Sequence, residues 1–156
     1  MKKVILILMI LFFNGSYSQN KSKSSKKEPT IKESQEWIKS VIENYGHGKI
    51  SFEGTDILYD IPSYPATHTV YNQRVSLKDL SSAKKGTGSE EGFVWLHVMC
   101  LNKKCVFVDC KTFNFNTNIL QITLNGSISD DLKDRLVKAI NHLIKLNSNN
   151  KIGNTF

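Results

Sequence analysis

Three cysteines lie close together in this chain, at Cys100, Cys105 and Cys110. Thiols can act as nucleophiles, metal ligands or disulfide partners, and the neighbours and the redox compartment decide which. The flanking sequence reads as a hairpin, with a run over 93–101, a break at Asn102-Lys103 and a second run over 104–111. With that break as a two-residue turn, Cys100 and Cys105 form the first non-hydrogen-bonded pair beyond it. Cα atoms in such a pair lie roughly 4.5 Å apart, within reach of a disulfide. A Cys100–Cys105 bridge that pins the hairpin register is therefore expected. The same register sets Cys110 opposite Trp95, Val108 opposite His97 and Val106 opposite Met99. That face is mostly apolar, so Cys110 is expected as a buried free thiol.

Other chemistry open to these residues has weaker sequence support. The Cys-x4-Cys-x4-Cys spacing plus His97 offers four zinc donors, but an odd separation along a strand turns Cys110 away from Cys105. A Cys110–His97 pair could serve a small thiol- or histidine-dependent hydrolase, which needs a base beside its nucleophile and a third group to orient that base. His47, His68 and His142 stand in no recognisable motif. Asp130-Asp131 suits the start of a helix, whose positive end favours acids. Glu90-Glu91 closes a Gly- and charge-rich stretch from Ala83, Lys84 and Lys85 to Gly92. That stretch lacks the P-loop order of Gly, four residues and Gly-Lys-Ser/Thr. No catalytic, cofactor-binding or metal-binding residue is assigned. The surface expected to make contacts joins Tyr64 and Tyr71, which bracket a Pro-flanked segment, to Lys84 and Lys85 in the 81–92 stretch, expected as a loop.

The elements that position these groups follow from periodicity. Thr30-Ile31-Lys32-Glu33 has capping-box spacing. Ile31, Trp37, Ile38, Val41, Ile42 and Tyr45 then recur as on one helix face, over about residues 31–45. About seven short strands follow, over 50–53, 56–61, 67–71, 74–80, 93–101, 104–111 and 118–124, with a tight hairpin at Gly54-Thr55. Phe113 and Phe115 fit exposed contact aromatics and packing in the core or at the end of a barrel equally well. A closing amphipathic helix over about 130–146 carries Leu132, Leu136, Val137, Ile140, Leu143 and Ile144, with Ser129 as N-cap. Residues 147–156 read as a flexible tail. The expected class is α+β: an antiparallel sheet or barrel flanked by an N-terminal and a C-terminal amphipathic helix, in one domain over 30–146.

The beginning of the chain addresses compartment. Lys2-Lys3 precedes an apolar run from Val4 to Phe13, and small residues at Ser16 and Ser18 follow, as in a secretory signal cleaved between Ser18 and Gln19. The run falls short of the roughly 20 residues a bilayer span requires. The mature chain is expected in the periplasm or outside the cell, without a transmembrane segment. Residues 19–29 are rich in Lys and Ser and hold no apolar residue to bury, so they read as a disordered basic linker. The formal charge is +7. Much of it sits in Lys21, Lys23, Lys26 and Lys27, which could bind anionic polymers, though nothing marks a specific nucleic-acid site.

A helix carrying Glu36-Trp37-Ile38, a strand run with Val75-Ser76-Leu77-Lys78-Asp79-Leu80, a Cys-flanked hairpin and a last helix with Val137 to Leu146 stand in that order. The order resembles a group of small exported proteins of Bacteroidota, particularly flavobacteria. That resemblance implies no catalytic residue; no cofactor is expected, and a partner is expected in the envelope or outside the cell. The element order is also similar to pleckstrin-homology-like domains, which implies a bent antiparallel barrel plugged by its last helix. The first hairpin turn, Gly54-Thr55, lacks the basic residues with which such domains hold phosphoinositides. The expectation is a non-catalytic binding or interaction module.

Overall fold

The computed structural model describes residues 28–61, 71–90, 92–110 and 113–149. The signal sequence, residues 19–27 of the linker, Tyr64, His68 and residues 150–156 lie outside the described residues. Helix α1 (Ile31–Tyr45) begins as its capping box directs. Thr30 Oγ1 accepts from the Glu33 N–H at 3.2 Å, and Glu33 Oε2 accepts from the Thr30 N–H at 2.7 Å. Strands β1 (Lys49–Glu53) and β2 (Asp56–Ile61) form the expected hairpin, turning at Gly54 with φ +60°. A residue with a Cβ is disfavoured in that left-handed conformation.

The middle of the chain departs from the sequence reading. Instead of one strand over 74–80 and a loop over 81–92, β3 (Tyr71–Ser76) leads through a 3-10 turn (Leu77–Asp79) into β4 (Leu80–Glu90). The Gly-rich stretch is part of a strand because tertiary partners cover both its sides. β5 (Phe93–Cys100) pairs along it, with a register shift between Lys85 and Ser89 that absorbs Gly86-Thr87-Gly88. On the outer side Asn141 reaches in from the last helix. Its Oδ1 accepts from the Ala83 N–H at 2.7 Å, and its Nδ2 donates to Ala83 O at 3.0 Å. A helix side chain thus supplies a rung that a neighbouring strand would otherwise make.

β5 and β6 (Val106–Cys110) do not pair, which overturns the expected Asn102-Lys103 hairpin and its pairing of Cys110 with Trp95. β5 belongs to a three-stranded sheet, β4-β5-β8, and β6 to a five-stranded sheet, β1-β2-β3-β6-β7. Their link is a crossover in which Lys104 takes φ +59°. The disulfide forms nonetheless: Cys100 and Cys105 are bonded, with Cα atoms 5.7 Å apart. It ties the end of one sheet to the beginning of the other, rather than fixing a hairpin register. Cys110 is a buried free thiol, as expected.

Strand β7 (Asn114–Thr117), in a stretch where the sequence suggests no strand, raises the count to eight among the described residues. A bend at Asn118 leads into β8 (Ile119–Asn125) of the other sheet. Strands that switch sheets in this way make the corners of orthogonal packings. Helix α2 (Asp130–Asn149) starts with Ser129 Oγ accepting from the Leu132 N–H at 3.3 Å. It runs three residues beyond the expected end, because Asn147 is buried and its Nδ2 donates to Leu143 O at 2.9 Å.

The class is α+β with antiparallel sheets, and the sheets do not close into a barrel. Leu96 and Val98 on β5 and Leu120, Ile122 and Leu124 on β8 alternate onto one face. They join Ile38 and Ile42 of α1 and Leu136, Ile140 and Leu143 of α2 in a continuous core. Each such side chain stabilises the fold by roughly 1.5–3 kcal/mol on burial. Where a barrel would close, two side chains of the five-stranded sheet take over. The Tyr59 hydroxyl donates to Thr123 O at 3.2 Å and accepts from the Thr123 N–H at 3.1 Å. The Gln73 amide does the same for Gln121, both at 3.3 Å. Beyond them Gly46 bridges Leu124, and the His47 N–H donates to Thr123 O at 3.0 Å.

A cleft between the two sheets as candidate binding site

Successive side chains of a strand point to opposite faces, so strand register states which residues share the space between the sheets. On the five-stranded sheet, Tyr59, Gln73, Val108 and Phe115 form one row across four strands. Ile61, Tyr71 and Cys110 form the next. Cys110 and Phe113 exchange backbone hydrogen bonds, which places Phe113 at the end of that row. On the three-stranded sheet, Lys84, His97 and Gln121 form a row facing away from the helices.

These rows border an open cleft of about 320 Å³. Ile61, Tyr71, Gln73, Val108, Phe115 and Thr117 line one side, and His97, Ile119 and Gln121 the other. Its walls are therefore mainly apolar and aromatic, with two amides, two hydroxyls and an imidazole among them. Phe113 stacks on Phe115 at the rim, with ring centroids 5.7 Å apart. Both rings are solvent-exposed, 58% and 41%. One register step from His97, Trp95 Nε1 and Thr123 Oγ1 are buried with no hydrogen-bond partner among the described residues, so polar character continues past the imidazole.

The charged form of His97 is disfavoured. Burial comes first and the charge of its cross-strand neighbour Lys84 second in holding the imidazolium below its usual range. Gly86 lets the chain pass close to it: a Cβ there would stand 3.0 Å from His97 Nε2 and from Trp95 Cβ. Because the folded state disfavours the His97 proton, the unfolded chain binds it more readily below about pH 6.5. Stability is therefore fully present above that pH and declines as pH falls toward the folded-state value. His97→Gln should flatten this part of the curve, measured as thermal midpoint against pH between about 7 and 5; an unchanged slope would remove His97 as the source.

The expected contact residues are split by the structure. Tyr71 lines the cleft, and Lys84 stands beside His97 at its edge. Lys85 points to the helix side, where its Nζ lies 2.7 Å from Asp134 Oδ1. Tyr64 lies outside the described residues. The Cys110–His97 pair is divided between the two sheets, Cys110 pairing with Tyr71 and His97 with Lys84 and Gln121. Burial, then the Asp109 charge, pushes the Cys110 thiol above its usual range, so it stays protonated. Among the described residues no three of His, Cys, Asp and Glu gather as metal ligands. His47 packs against Phe93 at 4.8 Å, and His142 Nε2 lies 3.0 Å from Pro29 O. Gln73, Gln121 and Phe115 were missed as site residues by sequence reasoning. The available signal was Gln73 alternating with Tyr71 and Val75, a polar residue on a face that should be buried.

No family model, curated protein or solved structure matches this chain.

Proposed function

We propose that the protein is an exported, non-catalytic binding module that takes an apolar, hydrogen-bonding group into the cleft between its sheets. One observation carries the reading: an open cleft with aromatic and aliphatic walls and a few polar groups converging on it. Binding sites have this character, and roughly 300–1,000 Å³ is their usual volume. Binding is favoured over turnover by the chemistry present. The Cys110 thiol is held protonated, and no described carboxylate lines the cleft to orient His97. Export is supported by the signal-like beginning of the sequence and by the disulfide, which persists in oxidising compartments. Among the described residues no helix is long and apolar enough to cross a membrane.

The test is titration of the 15N-labelled chain with 4-phenylbutyrate, an aromatic ring with a carboxylate at its end. Amide shifts concentrated at Phe115, His97 and Gln121, weakened in Phe115→Ser, are the expected result. Shifts scattered over the surface, or none at millimolar probe, would refute the cleft as a binding site.

A further inference from the structure

The strand edges of this fold are treated unequally. Sheet edges offer unpaired N–H and C=O groups to other chains, and proteins normally cover them or place Lys or Pro there. The outer edge of β4 is closed at Ala83 by Asn141. The inner edge of β8 is closed by Tyr59 and Gln73. Among the described residues β7 has no such cover. Beyond its ladder with β6, no described residue hydrogen-bonds the backbone of Asn114, Phe115 or Asn116. Its four residues, Asn-Phe-Asn-Thr, include no charge and no Pro.

The register states which groups point outward. Cys110 and Phe113 exchange both backbone bonds, so antiparallel alternation makes Val108–Phe115 and Val106–Thr117 the bonded pairs. The N–H and C=O groups of Asn114 and Asn116 therefore face away from β6. Farther along the same stretch, Asn118 O already accepts from the Cys100 N–H at 3.0 Å, the last rung that β5 supplies. Phe115 and Thr117 of this same strand line the cleft. Lysines gather toward the Thr117 end of β7 and at the cleft edge: Lys103 and Lys104 are exposed in the crossover beside Cys105, and Lys84 stands next to His97, whereas the acid Asp109 pairs with Asn114 at the other end and no described carboxylate lines the cleft.

We infer that β7 and the cleft form one site for an extended, acidic segment of a partner protein, which adds as a strand along the open edge. Main-chain bonds to Asn114 and Asn116 provide affinity, and one alternate side chain, aromatic or aliphatic, enters the cleft for selectivity. A volume near 320 Å³ suits one or two side chains. Acidic flanks complement the lysines, and an extended segment bonds at Asn114 and Asn116 with side chains alternately in and out of the cleft. This reading rests on the proposed binding function and names its ligand class.

The experiment uses the full chain and the peptide acetyl-Glu-Thr-Val-Phe-Val-Thr-Glu-amide, with counterparts carrying Ser at the centre or Lys at both ends. The peptide should slow hydrogen exchange at the Asn114 and Asn116 amides by about tenfold or more. Both counterparts should bind at least about tenfold more weakly, a 1.4 kcal/mol difference. Asn116→Pro removes an outward N–H while sparing the β6 ladder, and Pro is tolerated on an edge strand; it should weaken the peptide by a similar factor with little change in thermal midpoint. A double substitution of exposed residues, Lys84→Glu with Lys103→Glu, serves if Asn116→Pro fails to fold; it should reverse the preference for acidic over basic ends. If 4-phenylbutyrate binds the cleft but the peptide does not, or binds Asn116→Pro equally well, this inference falls and the proposed function stands. If neither probe binds, both fall. A concentration-dependent dimer abolished by Asn116→Pro, without peptide binding, would assign the edge to a second copy and overturn the inference.

Discussion

Tyr59→Phe should lower the free energy of unfolding by about 2–3 kcal/mol, although it deletes a single oxygen atom. Tyr59 is fully buried, and its hydroxyl holds both the N–H and the C=O of Thr123 on the inner edge of β8. Thr123 O keeps the His47 N–H at 3.0 Å, but the Thr123 N–H is left buried without a partner. A buried donor deprived of its acceptor costs about 1–3 kcal/mol, and loss of the second bond adds to it. Urea denaturation followed by intrinsic fluorescence would measure this as a lower midpoint at an unchanged slope. A loss below about 0.5 kcal/mol would mean that the seam between the sheets does not depend on this hydroxyl.

The second large effect belongs to the opposite edge of the three-stranded sheet. Asn141→Leu keeps the number and branching of side-chain heavy atoms but removes both hydrogen bonds to Ala83, at 2.7 and 3.0 Å. Two part-buried backbone groups lose their partners, and the expected cost is about 2–3 kcal/mol, or a fall in thermal midpoint on the order of 10 °C. The variant also uncovers an edge of β4, so it should aggregate on heating at concentrations where the parent stays clear. Asn141→Gln would be a weaker lesion only if the longer amide can still reach Ala83. Light scattering during the melt separates the two consequences. A destabilised variant that melts without scattering would show that this edge is protected by something other than Asn141.

How far the sequence reveals the molecule depends on how local each signal is. The Thr30–Glu33 capping box, the α1 stripe and the Gly54 turn were legible because each is decided within a few residues. The Cys100–Cys105 bond was legible for the wrong reason. Nearness in sequence suggested a hairpin, whereas the bond spans a crossover between sheets, with Lys104 in the left-handed region. Gly86-Thr87-Gly88 reads as a loop by composition, but Asn141, 58 positions from Ala83, and the β5 ladder hold that region as a strand. Tertiary context overrides propensity there. The cleft was the least legible feature. Its walls come from six strands, and Gln73 meets Gln121 across 48 positions of sequence. No window of a single strand contains that pairing. Tyr71 and Lys84 were singled out as exposed or basic residues, and their place in or beside the cleft followed only from strand register.

The seam made by Tyr59 and Gln73 also bears on how such a protein can change over generations. In a barrel closed by a backbone ladder, every rung is made whatever the residues are, and widening the interior requires inserting or shearing a strand. Here two rungs are made by side chains, at two codons. A substitution at either one can loosen or reshape the wall beside the cleft while chain order, strand number and core remain the same. The size of the interior is thus a heritable property that point mutation can adjust, at a cost in stability that the remaining seam and core must absorb.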